Sequence, residues 1–592
     1  MSNLEASLKQ LPEYLQKYAA VQNYEKYTPV EQASWRLIMR RSQYFFKLHG
    51  LPIYEEGLKL TGISADEIPR ISDMHDALQK WGWSAVPVCG FIPPAAFLEF
   101  QSLKFLPIAT DMRTLNHLSY TPAPDIVHEA AGHAPILADK DFRDYLAHYA
   151  FAATRAIISS EDIAVYEAIR LLSDLKENPD ASTAEIKSAQ TALTAASKNL
   201  TYVSESSKVA RMAWWTVEYG LMGSLDEPKI FGAGLLSSVG ESAYCLSTRV
   251  KRLPLTIACV DQGYDITEPQ PQLFVARNIP HMLEVLKEFE QTLSYQHGGV
   301  GGLSEAKKAK SVNTVRLENA VEISGILENY QASGKDVEFL KFSGPVQISL
   351  DSKQLSGHGS DYHAQGYSCP VGRWKNFPNL SPSALSCENI TQQNIFKGGD
   401  ACIDFVSGFQ ISGEVRHLEF LNGKLLWITF ANCTVKQDDK IFYDPSWGLF
   451  DYFPGEKITS VFGGPADKAS FGDYDIGVAQ SVPGRQSVFS MAEQENFKML
   501  TAVKNLRINL QKNPEDKASH KIFHELLEEN LGSDKFIWIT MLELYELGLM
   551  FFEHEKTQFE PLKKRILDSS ILIGEGERDL VVHSLNMLSS LT

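Results

Sequence analysis

Apolar residues recur at helical spacing in the first and the last parts of the chain. Between residues 33 and 48 they fall three or four positions apart, which predicts a buried helix. Residues 155–205 contain two runs rich in Ala, Leu, Glu and Lys, separated by the turn sequence NPDAS, and these runs predict a helical hairpin. The helical period returns near residue 490, so residues 490–592 are predicted to form a C-terminal helical bundle.

A different pattern fills the region between these helical parts. From about residue 310 to 485, β-branched and aromatic residues alternate between turn signals, which predicts a β-rich domain. The dipeptide Asn422-Gly423 separates two such runs and predicts a hairpin with a type I′ turn. The glycine-rich sequence HGGVGGLSE at residues 297–305 is interpreted as the break that ends the first domain at residue 298.

Composition and charge narrow the range of possible partners and locations. The 592 residues are 44% hydrophobic and carry a net charge of −17, which indicates several folded cores and argues against nucleic acid or a membrane surface as a partner. The apolar run at residues 536–552 is interrupted by Glu543 and Glu546, so it is predicted to be a buried helix. Seven scattered cysteines and the lack of a secretory signal favour a reducing, cytoplasmic location.

Two histidines lie close together in YTPAPDIVHEAAGHAPILAD, residues 120–139. His128 and His133 are five positions apart, about 140° on an ideal helix, whereas a zinc protease places its histidines four apart. Both imidazoles can reach one metal only if the helix ends or distorts at the second histidine. Gly132 and Pro135 supply a helix breaker at that point.

A third ligand would have to come from another part of the chain. Glu218 lies in the aromatic segment AWWTVEYGL, where an unpaired carboxylate would be costly to bury and where metal ligation would offset that cost. Two imidazoles and one carboxylate form the facial triad of non-haem iron oxygenases. A zinc hydrolase that uses Glu129 as a base is a second interpretation, although its histidine spacing does not fit.

Four segments resemble the successive motifs of the pterin-dependent aromatic amino acid hydroxylases. They are YTPAPDIVHEAAGH, WWTVEYGL, FGAGLLSSVGES and YDITEPQPQLFVA, and they occur in the order found in that family. The resemblance covers about residues 30–290. It implies a multidomain protein in which residues 1–298 form a mainly α catalytic domain of the aromatic amino acid hydroxylase type, with the hairpin at 155–205 as an insertion. The β-rich domain at 310–485 and the helical bundle would follow.

The same resemblance implies the cofactors. Fe(II) would be bound by His128, His133 and Glu218, with tetrahydrobiopterin or a related tetrahydropterin as cofactor and O2 as co-substrate. Phe97 corresponds to a phenylalanine that stacks on the pterin ring, as suits a flat heterocycle. The residues implied to contact the pterin are Gly90, Ile92, Phe97 and Glu129.

The resemblance also implies an amino acid pocket. Arg113 would pair with the substrate carboxylate, because a guanidinium fork suits a two-oxygen group. Ser237 would steady a histidine ligand, and the candidate catalytic residues are Glu129, Arg113 and Ser237. The residues implied to contact the substrate are Arg113, Thr121, Pro124, Asp125, Trp214, Gly234 and Ser237.

The identity of the substrate depends on two positions. Ile266 is apolar where tyrosine hydroxylases resemble one another in carrying an aspartate, and Trp214 is similar to the phenylalanine and tyrosine enzymes. We therefore expect a phenylalanine 4-monooxygenase, with tryptophan hydroxylation as the alternative. Ala213 replaces a tyrosine common in the family and favours a second alternative, a non-catalytic binding scaffold.

Residues 300–592 show no resemblance to a known family. By analogy with enzymes that carry accessory domains, this half is expected to serve regulation or homo-oligomer assembly. His358 and His363 in HGSDYH repeat the five-residue spacing, but Gly and Ser surround them, so they are predicted to lie in a solvated loop without a role.

Overall fold

The structure is a computed structural model. It describes residues 3–89, 92–118, 124–177, 181–238, 240–265, 268–472, 489–570 and 575–590.

The first part of the chain is mainly helical, as the periodicity predicts. Its helices are α1 Asn3–Leu8, α2 Glu13–Gln16, α3 Pro29–His49, α4 Ile53–Leu60, α5 Ile71–Gln79, α6 Pro94–Ser102, α7 Ala134–Ile136, α8 Lys140–Ala153, α9 Ser160–Glu177, α10 Thr183–Lys198, α11 Glu205–Ala213, α12 Ala233–Ser237, α13 Glu241–Tyr244, α14 Ile279–Glu290, α15 Ser294–His297 and α16 Gly299–Ala309. Its strands are β1 Ser84–Val88, β2 Phe105–Ala109, β3 Leu221–Gly223, β4 Pro228–Ile230, β5 Lys251–Pro254 and β6 Gln272–Ala276. Strands β1 and β2 form a parallel pair, and the other four form a mixed sheet in the order β4-β3-β6-β5.

Helix α3 shows how local sequence sets an element. Thr28 caps the helix by accepting the backbone N–H of Glu31, while the Glu31 side chain accepts the backbone N–H of Thr28. Pro29 occupies the first helical turn, where its missing N–H is not needed. The predicted helix is confirmed, and Trp35 and Ile38 are among the side chains that it buries.

The predicted helical hairpin is also confirmed, since α9 and α10 pack against each other. A reciprocal cap between Ser182 and Glu185 begins α10. The glycine-rich sequence after α15, however, is not an open break. Gly298 and Gly299 take left-handed backbone angles of +53° and +58°, and α16 follows at once. A side chain at Gly298 would collide with the backbone of the strand at Ile458–Gly463, so this close approach needs glycine.

The middle of the chain is β-rich, as predicted. Its strands are β7 Val312–Leu317, β8 Val321–Ser333, β9 Asp336–Leu350, β10 Lys353–Gln354, β11 Gly366–Pro370, β12 Asp400–Asp404, β13 Phe409–Leu421, β14 Lys424–Gln437, β15 Lys440–Tyr443, β16 Phe450–Tyr452 and β17 Ile458–Gly463, with one short helix, α17 Cys387–Gln392. Six strands form an antiparallel sheet in the order β10-β9-β8-β7-β17, with β11 also paired to β9. The other five form a second antiparallel sheet, β12-β13-β14-β15, with β16 paired to β14.

The predicted hairpin joins β13 to β14. Asn422 and Gly423 have φ angles of +51° and +76°, as a type I′ turn requires at both central positions. The two sheets share one hydrophobic cluster, in which Phe339 of β9 stacks on Phe409 of β13 with ring centroids 5.1 Å apart.

Five helices form the last part of the chain. They are α18 Met491–Lys512, α19 Lys517–Leu531, α20 Trp538–Phe551, α21 Lys556–Ser570 and α22 Glu575–Ser590. Their buried residues belong to the same hydrophobic cluster as those of α3, which α18, α20 and α22 contact. Helix α20 is buried along almost its whole length, as predicted, and no described helix combines the length and apolarity that crossing a bilayer would need. The boundaries of separate domains stay a prediction.

Candidate metal centre

The segment that carries the two histidines is a π-helix, residues Val127–His133. In a π-helix the backbone hydrogen bonds join residues five apart, so such residues lie about one turn apart on the same face. The N–H of Ala134 accordingly donates to the carbonyl of Glu129. The expected distortion at the second histidine is confirmed. It comes from this wider turn rather than from a helix end, because α7 continues directly after His133.

Glu218 reaches the histidines from a second π-helical segment, Trp214–Glu218, which follows α11. His128 Nε2 and His133 Nε2 are 3.2 Å apart. Oε2 of Glu218 lies 3.4 Å from His128 Nε2, and Oε1 of Glu218 lies 3.2 Å from His133 Nε2. Burial would raise the pKa of Glu218, but the two imidazoles outweigh burial and hold it well below its ordinary value.

These separations fit a shared metal ion. A divalent ion such as Zn²⁺ binds imidazole nitrogen at about 2.0–2.1 Å, so two donors at roughly 90–110° around it are about 2.8–3.4 Å apart. The three measured separations of 3.2, 3.4 and 3.2 Å all fall in that range. Two imidazoles and one carboxylate leave other coordination positions open, as an oxygenase needs.

Ser237 of α12 orients the first histidine. Its hydroxyl donates to the carbonyl of Ala233 at 2.8 Å and lies 3.0 Å from His128 Nδ1. Because the hydroxyl proton is used on Ala233, Ser237 accepts the Nδ1 proton of His128, which leaves the Nε2 lone pair for a metal. Gly132 allows this close packing, since a side chain there would come within 2.8 Å of the carbonyl oxygen of Ala233.

Glu129 lies beside the metal centre without joining it. Its Oε2 is 3.9 Å from His133 Nε2, is buried, and has no hydrogen-bond partner among the described residues. Burial raises the pKa of Glu129 to about 8, and the Glu218 carboxylate adds to this effect while His133 opposes it. This carboxyl is therefore available to a bound molecule.

Arg113 and Asp125 form a buried two-pronged ion pair. The Nε and Nη2 atoms of Arg113 donate to the two Asp125 oxygens at 2.7 and 2.8 Å. Burial would raise the pKa of Asp125, but the guanidinium and its hydrogen bonds hold it below its ordinary value. Asp125 also accepts the backbone N–H of His128 at 3.1 Å, and Arg113 Nη1 donates to the carbonyl of Ser237 at 3.2 Å. The ion pair is thus tied to both the π-helix and α12.

Trp214 is held in a stack of aromatic rings that sequence reasoning did not identify. Tyr219 and Tyr264 stack on it with centroids 4.4 and 4.2 Å away. Tyr219 donates to the buried Glu241 at 2.8 Å, and Glu241 accepts the backbone N–H of Gln270. Tyr219, Glu241, Tyr264 and Gln270 all lie in the quoted motifs, which is the signal that pointed to them.

The other residues predicted to contact the pterin or the substrate lie in different environments. Phe97 is partly exposed, and its ring centroid is 6.5 Å from that of His133, whereas Ile92 packs in a small cluster with α6 and β1. Pro124 is exposed beside Asp125, and Gly234 is buried against Tyr219. Gly90, Thr121 and Ile266 lie outside the described residues.

Comparison with known proteins shows which sequences this chain resembles. Residues 9–165 and 188–306 match the family model of the biopterin-dependent aromatic amino acid hydroxylases. The gap in the match falls within the α9–α10 hairpin, and the prediction that this hairpin is an insertion stays a prediction. The phenylalanine-4-hydroxylases of Rattus norvegicus and Homo sapiens are 29% and 28% identical over 279 and 277 residues. Each alignment covers 45% of this chain and 51% of the relative, so the chain spans about half the length of these relatives.

Bacterial relatives also match part of the chain. The phenylalanine-4-hydroxylase of Vibrio cholerae is 26% identical over 269 residues, which are 45% of this chain and 78% of the relative. A crystal structure of Chromobacterium violaceum phenylalanine hydroxylase with iron(III) and 7,8-dihydrobiopterin covers 49% of this chain and 91% of its own, at 22% identity and a TM-score of 0.38. Over these matched residues, the chain is similar to the biopterin-dependent aromatic amino acid hydroxylases.

Proposed function

We propose that this protein is an Fe(II)- and tetrahydropterin-dependent monooxygenase that converts L-phenylalanine to L-tyrosine. The observation that carries the proposal is the convergence of His128, His133 and Glu218 next to the Arg113–Asp125 pair. The similarity to phenylalanine-4-hydroxylases supports this substrate. Association of copies through residues 300–592 stays a prediction.

The metal ligands would work together with their neighbours. His128, His133 and Glu218 would hold Fe(II), while Ser237 keeps the Nε2 lone pair of His128 directed at it. When bound, Fe(II) and the tetrahydropterin together supply the electrons that activate O2 for insertion of one oxygen atom into the ring.

Arg113 would bind the carboxylate of the amino acid. Asp125 and nearby carbonyls engage three of its nitrogens, which fixes the plane of the guanidinium and leaves an outer N–H of Nη2 for the substrate. Trp214, held by its stacked tyrosines, would form a wall of the same pocket. Such fixed contacts would keep the ring oriented toward the metal centre.

Phe97 and Glu129 would bind the pterin. The partly exposed Phe97 ring offers a face for stacking. The unpartnered Oε2 of Glu129 would accept a hydrogen bond from a ring N–H of the pterin. The Phe97 ring and the Glu129 carboxyl group both lie near His133.

The experiment is aerobic turnover of purified protein reconstituted with Fe(II) and tetrahydrobiopterin. Phenylalanine, tyrosine and tryptophan are supplied separately, and hydroxylated product is measured by mass. We expect tyrosine from phenylalanine. Hydroxylation of tryptophan alone would favour the alternative substrate, and pterin oxidation without any hydroxylated amino acid would contradict the proposal.

Matched variants test the ligands. His133→Ala and Glu218→Ala are expected to abolish product formation, because each removes one of three metal ligands. The controls, His281→Ala and Glu284→Gln, change the same residue types on α14, away from the centre. Unchanged turnover in His133→Ala or Glu218→Ala would refute the ligand assignment.

A further inference from the structure

A second cluster of two imidazoles and a carboxylate lies in the β-rich region. Its members are His358, His363 and Asp451, and one ligand atom of each lies within 4.8 Å of the others. All three residues are buried, with 6%, 8% and 3% of their surfaces exposed. The prediction of a solvated loop for the two histidines is therefore wrong, because the loop folds back onto the sheets.

Both sheets hold this cluster in place. His358 and His363 lie between β10 and β11, and their carbonyls accept the backbone N–H groups of Ile348 and Val346 of β9 at 2.9 and 3.2 Å. Asp451 lies in β16 of the other sheet, which pairs with β14. The cluster therefore connects a loop of the first sheet to a strand of the second.

The polar atoms of the cluster lack a full set of partners. His358 Nδ1 and His363 Nε2 are 3.2 Å apart. Asp451 Oδ1 accepts the hydroxyl of Thr429 at 2.6 Å, whereas the buried Oδ2 makes no hydrogen bond within 3.5 Å among the described residues. The hydroxyl of Tyr362 is the other polar group beside this carboxylate, and it carries no positive charge. A carboxylate buried in this way is costly unless a cation balances it.

A shared cation explains this arrangement better than a hydrogen bond between the rings. A ring-to-ring hydrogen bond would satisfy the two nitrogens but would not balance the charge of the buried Asp451 carboxylate. An ion bound by both imidazoles at about 2.0–2.1 Å would separate their nitrogens by about 2.8–3.4 Å, as observed. The candidate metal centre in the first half has the same donor types and the same 3.2 Å between its imidazole nitrogens.

Aromatic rings form the surroundings of the cluster. Trp427 and Phe453 pack edge to face on His358, with centroids 5.1 and 5.2 Å away. The ring of Tyr362, about half exposed, contacts both His358 and His363, so the cluster lies one side chain below the surface. Apolar surroundings of this kind limit water and strengthen the attraction between a cation and its ligands.

We propose that His358, His363 and Asp451 bind one divalent first-row transition metal ion. Two imidazoles and one carboxylate suit ions such as Zn(II), Fe(II) and Co(II). The ion would tie the loop between β10 and β11 to β16 and so hold the two sheets together. This site is separate from the candidate centre at His128, and the inference does not rest on the proposed activity.

Cobalt(II) is the probe for the test, because its absorption reports its ligands. The untagged full-length chain is stripped of metal by a chelator, incubated anaerobically with Co(II), and desalted. The unmodified chain is expected to retain two equivalents of Co(II). A variant with His128→Ala and His133→Ala is expected to retain one, with visible ligand-field absorption. No retained Co(II) in this variant, with one equivalent in the unmodified chain, would overturn the proposal.

Further variants in the same background identify the ligands. His363→Gln and Asp451→Asn are expected to lose the remaining equivalent and its absorption. The control is His417→Gln, which changes a partly exposed histidine that packs on the same Trp427, and it is expected to retain Co(II). Equal retention by all three variants would place the ion elsewhere and also overturn the proposal.

Discussion

Replacing Glu543 tests how strongly a buried ion pair stabilises the contact between the C-terminal helices and the first, mainly helical part of the chain. Glu543 lies in α20 and is 4% exposed, in a helix that is mostly apolar apart from Glu543 and Glu546. Its two oxygens accept hydrogen bonds from Nε of Arg36, on α3, at 3.0 and 2.9 Å. Arg507 of α18 approaches the same carboxylate at 3.4 Å. The variant Glu543→Gln keeps the shape and removes the charge that pairs with Arg36, whereas Arg507 keeps its closer partner Glu546 at 2.9 Å.

Two estimates of the magnitude agree. Breaking one partner of a buried ion pair costs roughly 3–5 kcal/mol, and Gln, which still offers an acceptor, belongs at the lower end. Burial would raise the pKa of Glu543, but the arginines outweigh it and lower the value to about 2. Compared with about 4.3 for an unfolded glutamate, that difference corresponds to about 3 kcal/mol of stability.

The pH dependence has a definite sign. A carboxylate whose folded pKa is depressed stabilises the protein fully above its unfolded pKa of about 4.3, and this stabilisation is lost as the pH falls toward 2. The difference between the unmodified protein and Glu543→Gln is therefore expected to be about 3 kcal/mol at pH 7 and about half of that at pH 3.

The assay is urea unfolding of the full-length chain, followed by tryptophan fluorescence and far-UV circular dichroism at both pH values. Glu55→Gln is the control, because Glu55 forms an exposed pair with Lys59 in α4, and such pairs contribute at most about 1 kcal/mol. If Glu543→Gln changes the free energy of unfolding no more than Glu55→Gln, or if its effect grows on acidification, the reasoning is wrong.

Two further variants test the packing around the metal centre. Ser237→Ala removes the acceptor that fixes the tautomer of His128, so it is expected to weaken Fe(II) binding by about 10–100-fold in anaerobic titration. The control Ser238→Ala is expected to leave the Fe(II) affinity unchanged. Equal affinities of the two variants would contradict the orienting role of Ser237. Gly132→Ala places a methyl group within 2.8 Å of a carbonyl oxygen of α12 and is expected to lower the free energy of unfolding by about 1–3 kcal/mol. Gly263→Ala, in open space, is its control, and matching urea midpoints would show that the contact relaxes freely.

The sequence predicted those features that depend on neighbouring residues. The helix α3, the α9–α10 hairpin and the type I′ turn at Asn422-Gly423 follow from propensities that act over a few positions. The family motifs pointed to the candidate metal ligands, which the structure brings together, because a short segment such as the one around His128 carries its chemistry in its own order of residues.

Other features were decided only by tertiary packing. The five-residue spacing of His128 and His133 left the type of helix distortion open, and the structure has a π-helical turn there. The charge of Glu543 inside an apolar helix is explained by Arg36, which is 507 positions away in sequence.

The cluster of His358, His363 and Asp451 shows most clearly which features the sequence predicts and which depend on tertiary packing. The Gly and Ser residues around His358 and His363 predicted a solvated loop, because local composition indicates only the local backbone preference. Burial and convergence depend on which distant strands meet, and Asp451 arrives from a different sheet. The sequence by itself therefore determined the elements and the chemistry available to them, while packing between distant segments decided which polar groups became buried together.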